Sequence, residues 1–204
     1  MRLYCSSNSP YARKVRIVAL ELGITDRVDL VDTNPRDGST GFWDKNPLSK
    51  IPALELDDGR VIYDSPVICE YMNDSFGDGR LLSAAGRDPW DTRVLAALAD
   101  GTMDAAMLVR LELTRPETER STTDMAKQMA IAGRGFDRLQ DLLADSDDAA
   151  DLGTIATGCC IAWVMFRHAS TDWLGSRPGL ARWYERFAGR DAMRRTAPGL
   201  DLAW

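Results

Sequence analysis

Apolar residues follow both strand and helix spacing up to about residue 78, and helix spacing alone after that. In the first part, short strand-like segments at 2–5 and 28–31 flank a helix predicted over 10–22, which Gly23 should end. A strand, a helix and a strand in this order indicate a right-handed βαβ unit with parallel strands. An Asp-Gly turn then joins strands predicted at 53–56 and 61–63 into a hairpin.

The remainder of this first part is irregular until a second helix begins. Residues 34–50 are rich in proline and glycine, with at most one short helix around Phe42-Trp43. Ser65 is expected at the N-cap of a helix that runs to about Ser75, because Pro66 fits the first helical turn.

Strand signals stop after the glycines at 77, 79 and 86. Long helices are predicted over 88–114, 117–143 and 152–169, with an acidic loop at 145–151 and a short amphipathic helix at 179–188. The fold class is therefore α/β plus all-α. We expect a mixed N-terminal domain at 1–78, a linker at 79–86 and a helical-bundle domain at 87–204.

Composition and charge exclude several function classes. The formal net charge is −6 and no basic run occurs, so we expect neither a nucleic-acid partner nor an anionic membrane partner. No apolar stretch approaches the ~20 residues of a membrane helix, and the first residues lack the apolar run of a signal peptide, so we expect a cytoplasmic location. The single His168 and four cysteines without metal-ligand spacing (Cys5, Cys69, Cys159, Cys160) predict no metal site.

Ile51-Pro52 is the first candidate for ligand binding. An X-Pro bond costs only ~0.5–1 kcal/mol in the cis form, and a cis bond would turn the backbone N–H and C=O of Ile51 outward. Those groups could then pair with an extended ligand as a strand does. The alternative is an ordinary trans proline that begins an edge strand, which is the commoner case.

Asp64-Ser65 and Ser9-Pro10 mark two helix starts. Free N–H groups at a helix start bind a carboxylate, and Asp64 could hold an ammonium, so the first pair could grip an α-amino acid group. Ser9 could donate to a bound thiol and stabilise its thiolate, with Ser6 and Ser7 open as alternatives. Plain helix capping is the alternative for both starts.

These motifs, in this order, resemble the cytosolic glutathione transferase family. The resemblance rests on residues 9–16 (SPYARKVR), 46–54 (NPLSKIPAL), Asp64-Ser65, residues 151–154 (DLGT) and 177–184 (RPGLARWY). It implies a thioredoxin-like N-terminal domain, an all-helical C-terminal domain and a homodimer. It also implies that Ile51, beside cis-Pro52, holds the cysteinyl part of glutathione, that Asp64 and Ser65 hold its γ-glutamyl end, and that Lys50 pairs with its glycine carboxylate.

Two departures from the family pattern matter. Many relatives carry Ser/Thr-x-x-Asp at the late capping box, whereas this chain has Asp151-x-x-Thr154, which can still cap because Asp is a favoured N-cap residue. No cysteine stands at the Ser9 position, which argues against the disulfide-exchange chemistry of omega-like members.

The resemblance predicts a glutathione S-transferase in which Ser9 stabilises the thiolate for attack on a small hydrophobic electrophile. Candidate residues around the electrophile are Tyr11, Met103, Met107 and Arg110, although both methionines could equally belong to the core. Asp100 could reach a partner subunit's ligand, but an ordinary solvated helix face is expected. The alternative functions are a non-catalytic glutathione-binding module and a glutathione-dependent peroxide or disulfide reductase.

Overall fold

A mixed four-stranded sheet forms the first half of the computed structural model, which describes residues 1–204 apart from the side chain of Ala85. The strands are β1 (Arg2–Cys5), β2 (Asp29–Asp32), β3 (Ala53–Glu55) and β4 (Val61–Ile62), in the order β2-β1-β3-β4. β1 and β2 pair in parallel, while the other neighbours pair antiparallel. The predicted βαβ unit and hairpin are confirmed.

Two helices complete this thioredoxin-like half. α1 (Pro10–Leu22) ends at Gly23, whose φ of 70° is the left-handed conformation that glycine adopts without a Cβ penalty. α2 (Ser65–Gly77) packs against α1 and β3. Between β2 and β3 the chain makes two short 3-10 turns, Gly38–Thr40 and Phe42–Asp44, rather than the single one expected.

The second half contains helices joined by loops, and no strand among its described residues. It contains α3 (Pro89–Glu112), α4 (Thr122–Leu143), α5 (Leu152–Arg167), α6 (Pro178–Ala188) and α7 (Asp191–Arg195). α4 begins later than predicted, because Glu117–Glu119 is a separate 3-10 turn and the Ser121 side chain caps the helix by accepting from Asp124 N–H at 3.2 Å. α7, which has only five residues, was not predicted.

α5 is the central element of the second half. Every residue from Leu152 to Val164 is buried, and the helix packs against both α3 and α1. It begins at a complete capping box: Asp151 Oδ1 accepts from Thr154 N–H at 2.7 Å, and Thr154 Oγ1 accepts from Asp151 N–H at 2.8 Å. The reversed residue order in this box therefore preserves the cap.

One apolar core cluster extends from Leu3 in the sheet to Trp183 in α6, so α1 lies between the sheet and the helical half. This placement brings the residues that precede α1 against the end of α5. No helix in the described part of the chain is long and apolar enough to cross a membrane. The exact domain limits at 78 and 87 stay a prediction.

Candidate functional site

The loop before β3 presents Ile51. The Ile51-Pro52 bond is cis, which decides the alternative that the sequence left open. In the described part of the chain, neither the N–H nor the C=O of Ile51 makes a hydrogen bond. The loop is held from inside by buried Asn46, whose Nδ2 donates to the Lys50 carbonyl at 2.7 Å and whose Oδ1 accepts from Leu48 N–H at 3.0 Å.

Sequence reasoning missed this role of Asn46. Asn46 stands in the quoted motif next to exposed Pro47, but its own side chain is buried and holds the loop.

The start of α2 lies one residue earlier than predicted. Asp64, not Ser65, is the N-cap: its backbone is extended and its carbonyl accepts from Ile68 N–H at 3.0 Å. The Asp64 side chain makes no capping hydrogen bond, so the backbone conformation alone sets this helix start. Ser65 is buried as the first helical residue, where its N–H has no partner within the helix, and Asp64 and Lys50 are exposed to solvent.

Ser9 caps α1 and keeps a donor. Its Oγ accepts from Ala12 N–H at 3.2 Å. A hydroxyl group offers one donor and two acceptor positions, and the Ser9 hydroxyl donates to no group among the described residues. Capping and donation to a ligand are therefore compatible. Ser6 and Ser7 lie half-buried in the same turn.

A shallow depression beside Ser9 joins the two halves of the molecule. It is formed by the turn before α1, the last turn of α5 and the C-terminal tail, through Ser7, Asn8, Ser9, Pro10, Arg13, Trp163, Phe166 and Pro198. Of the candidates found in the sequence, only Ser9 and its alternative Ser7 line it. The α5 and tail residues carried no sequence signal, because they lie more than 150 positions away in the chain.

Tyr11 faces a neighbouring acidic region. Its hydroxyl donates to Asp104 of α3. Burial, followed by the hydrogen bond to the Asp104 carboxylate, raises the pKa of the Tyr11 phenol above its usual value. The phenol is thus held protonated with its donor occupied, so toward a substrate it offers its ring and an acceptor oxygen but no hydrogen-bond donor. Sequence reasoning missed Asp104.

Asp100 is not part of a solvated face, contrary to expectation. Its carboxylate accepts from the Nζ of buried Lys14 at 2.6 and 2.8 Å. Burial raises the pKa of the Asp100 carboxyl, Lys14 opposes this, and the charges of Asp104 and Asp64 add to it. The α1–α3 contact supplies both partners, so the helical spacing of α3 alone could not reveal the pair.

The other residues predicted to surround the electrophile differ in how exposed they are. Met103 is fully buried in the core, which corrects its place among pocket residues, since it offers no surface to a ligand. Met107 and Arg110 are half-buried, and their role stays a prediction. His168 is buried, with Nε2 3.0 Å from the Ala106 carbonyl, and burial lowers its pKa.

Comparison with known proteins identifies the relatives of this chain. A family model for the N-terminal domain of glutathione S-transferases matches residues 8–75. YibF of Escherichia coli (strain K12), an uncharacterized GST-like protein, is 33% identical over 97% of this chain and 98% of its own length. The chain belongs to the glutathione S-transferase family.

Solved structures of bacterial family members agree with this assignment. A glutathione transferase family member from Pseudomonas fluorescens Pf-5, with bound glutathione, superposes with a TM-score of 0.89 at 34% identity and covers 98% of this chain and 99% of that one. A glutathione S-transferase from Methylobacillus flagellatus KT with glutathione bound gives a TM-score of 0.89 at 36% identity over 97% and 98% of the two chains. The predicted family and fold are confirmed.

Proposed function

We propose that this glutathione S-transferase family member binds glutathione and conjugates its sulfur to a small hydrophobic electrophile. The main support is that hydrogen-bonding groups at three family motifs have no partner among the described residues. These groups are the Ile51 backbone, the start of α2 at Ser65, and the hydrogen of the Ser9 hydroxyl. Bound glutathione in the Pseudomonas and Methylobacillus relatives supports this proposal. The cytoplasm, where glutathione is abundant, stays the expected location.

Each part of glutathione has a matching group. The Ile51 N–H and C=O pair with its cysteinyl backbone, and exposed Lys50 pairs with its glycine carboxylate. The γ-glutamyl carboxylate meets the N–H and the hydroxyl of Ser65 at the N-terminus of α2, and its ammonium meets Asp64. The charge of Asp64 lies near enough to Asp100 to raise the pKa of the Asp100 carboxyl, so the ammonium meets a region with two carboxylates.

The proposed reaction depends on the thiolate. Ser9 donates its hydroxyl hydrogen to the glutathione sulfur, which favours loss of the thiol proton to solvent. The sulfur then attacks an electrophilic carbon, so a C–S bond forms and the leaving group departs with its electron pair. Conjugation is consistent with a second Pseudomonas fluorescens structure, which holds S-(propanoic acid)-glutathione.

The cysteines do not favour disulfide exchange through a protein thiol. All four are buried, and burial raises the pKa of Cys5 and Cys69 to about 12. A thiol in that state supplies almost no thiolate near neutral pH. Reduction of peroxides by glutathione alone needs no protein thiol and is a separate outcome of a coupled oxidation assay.

Isothermal titration with glutathione tests the binding proposal. The wild-type protein should bind glutathione, and Ser65→Ala should weaken binding about fivefold or more, since one hydrogen bond contributes about 1 kcal/mol. Ser75→Ala is the matched control, because Ser75 is an exposed serine near the other end of α2. Absence of binding at millimolar glutathione would contradict the proposal.

We also propose that the protein is a homodimer. Val67 of α2 and Trp90 and Val94 of α3 are exposed, and the Arg93–Glu70 ion pair at 3.0 Å joins the two helices between them. This surface spans both halves of the molecule, as the family resemblance implies. Light scattering should give twice the mass of the chain, and Trp90→Glu should give the monomer; a Trp43→Glu control, at another exposed tryptophan, should stay dimeric.

A further inference from the structure

Arg167 contacts Asn8 and Phe166, two residues that line the Ser9 depression, and has no acidic partner among the described residues. Its Nη2 donates to Asn8 Oδ1 at 3.1 Å, and its guanidinium carbon lies 4.7 Å from the centroid of the Phe166 ring. No carboxylate of the described residues lies within 4.0 Å of this guanidinium. Arginine offers five donors, and toward the described residues Arg167 uses one of them.

The lining of the depression carries one positive side chain and no negative one. None of the residues that line it is acidic, and buried Arg13 is among them. Arg13 donates from Nε to Thr196 Oγ1 at 3.2 Å and from Nη2 to the Met193 carbonyl at 2.9 Å, so no carboxylate neutralises it, and its Nη1 has no partner among the described residues. The N-terminal end of the α1 dipole adds further positive potential.

The walls of the depression are apolar. Trp163 and half-exposed Phe166 come from α5, and Pro198 comes from the tail. A Cβ placed on Gly199 would lie 3.9 Å from the Phe166 ring, so the tail follows the aromatic wall closely. A ligand group in this depression therefore meets aromatic surface beneath and a guanidinium beside the lining residues, which is an arrangement suited to a short chain that ends in a carboxylate.

We propose that the electrophile carries a carboxylate and that Arg167 binds this carboxylate. This proposal rests on the proposed function of the same site. Asn8 is a positioning residue, because its Oδ1 fixes one side of the guanidinium beside the turn that carries Ser9. The free edge of the guanidinium then receives the carboxylate while the reacting carbon lies toward the sulfur. The acidic region around Asp100 and Asp104 would repel such a group, so the charge distribution also orients it.

Binding of finished conjugates tests this without requiring turnover. S-carboxymethylglutathione and S-(2-carboxyethyl)glutathione are titrated beside their neutral amide counterparts, S-carbamoylmethylglutathione and S-(2-carbamoylethyl)glutathione. At one length or both, the wild-type protein should bind the acid about 10-fold or more tightly than the amide, as expected for a charge-assisted pair.

The Arg167 variants decide where this preference arises. Arg167→Gln should remove the preference, and Arg167→Lys should keep part of it because it keeps the charge. Arg182→Gln is the matched control, since Arg182 is an exposed arginine of α6 that lines no part of the depression, and it should keep the full preference.

The outcomes separate the two proposals. Equal binding of acids and amides by the wild-type protein, or an unchanged preference in Arg167→Gln, would overturn the role of Arg167 while glutathione binding stands. If glutathione itself and all four conjugates fail to bind, the proposed function and the carboxylate subsite fail together.

Discussion

Ser9 carries two separable functions, and its replacement should reveal both. The hydroxyl accepts from Ala12 N–H as the cap of α1 and retains its hydrogen for the glutathione sulfur. Ser9→Ala removes both roles. Ser9→Gly removes the donor but retains most of the capping preference, because glycine is itself a favoured N-cap residue.

The magnitudes differ enough to be measured separately. Loss of the cap in Ser9→Ala should lower the free energy of unfolding by about 1 kcal/mol, whereas Ser9→Gly should lower it by only a few tenths. A hydrogen bond to a charged group contributes about 1.5–3 kcal/mol, so loss of the donor should raise the pKa of the bound thiol by about 1–2 units in both variants.

Two measurements distinguish these effects. Denaturant unfolding gives the stability of each variant, and the ultraviolet absorbance of the thiolate, followed against pH in the glutathione complex, gives the thiol pKa. Ser6→Ala and Ser7→Ala are the controls. An unchanged thiol pKa in both Ser9 variants would refute the reasoning and move thiolate stabilisation to Ser6, Ser7 or a backbone donor.

Two further predictions concern buried ionisable groups. Asp100→Asn leaves the Lys14 ammonium buried without a counter-charge, and should lower the free energy of unfolding by about 3–5 kcal/mol in denaturant titrations; adding Lys14→Met should recover most of that loss, and no recovery would contradict the pairing. His168 has a folded-state pKa below 6.5, so the unfolded chain binds more protons and stability should fall as pH drops below 6.5. His168→Gln should lose this dependence below about pH 6.5. Proton NMR of the single histidine checks the pKa directly, and a value above 6.5 would contradict the effect of burial.

The sequence could predict most of the framework because local signals dominate there. The Ser9-Pro10 start and the Gly23 end of α1, the Asp-Gly hairpin turn and the buried run of α5 each depend on neighbours within a few residues. Helix limits were less accurate. Asp64 rather than Ser65 occupies the N-cap position of α2 through its extended backbone, and its side chain makes no capping hydrogen bond that a sequence preference could have predicted.

The site shows the limit of that reasoning. The sequence by itself determined the fold class and the order of the motifs around Ser9, Ile51 and Ser65, because hydrophobic spacing and helix-start chemistry are local properties. The family was predicted from the resemblance that those motifs carry. Only the tertiary structure decided that Lys14 neutralises Asp100 and that Arg167 lies against Asn8. These contacts join positions 86 and 159 residues apart, and which distant side chains meet is set by the packing of α1 between the sheet and the helical half.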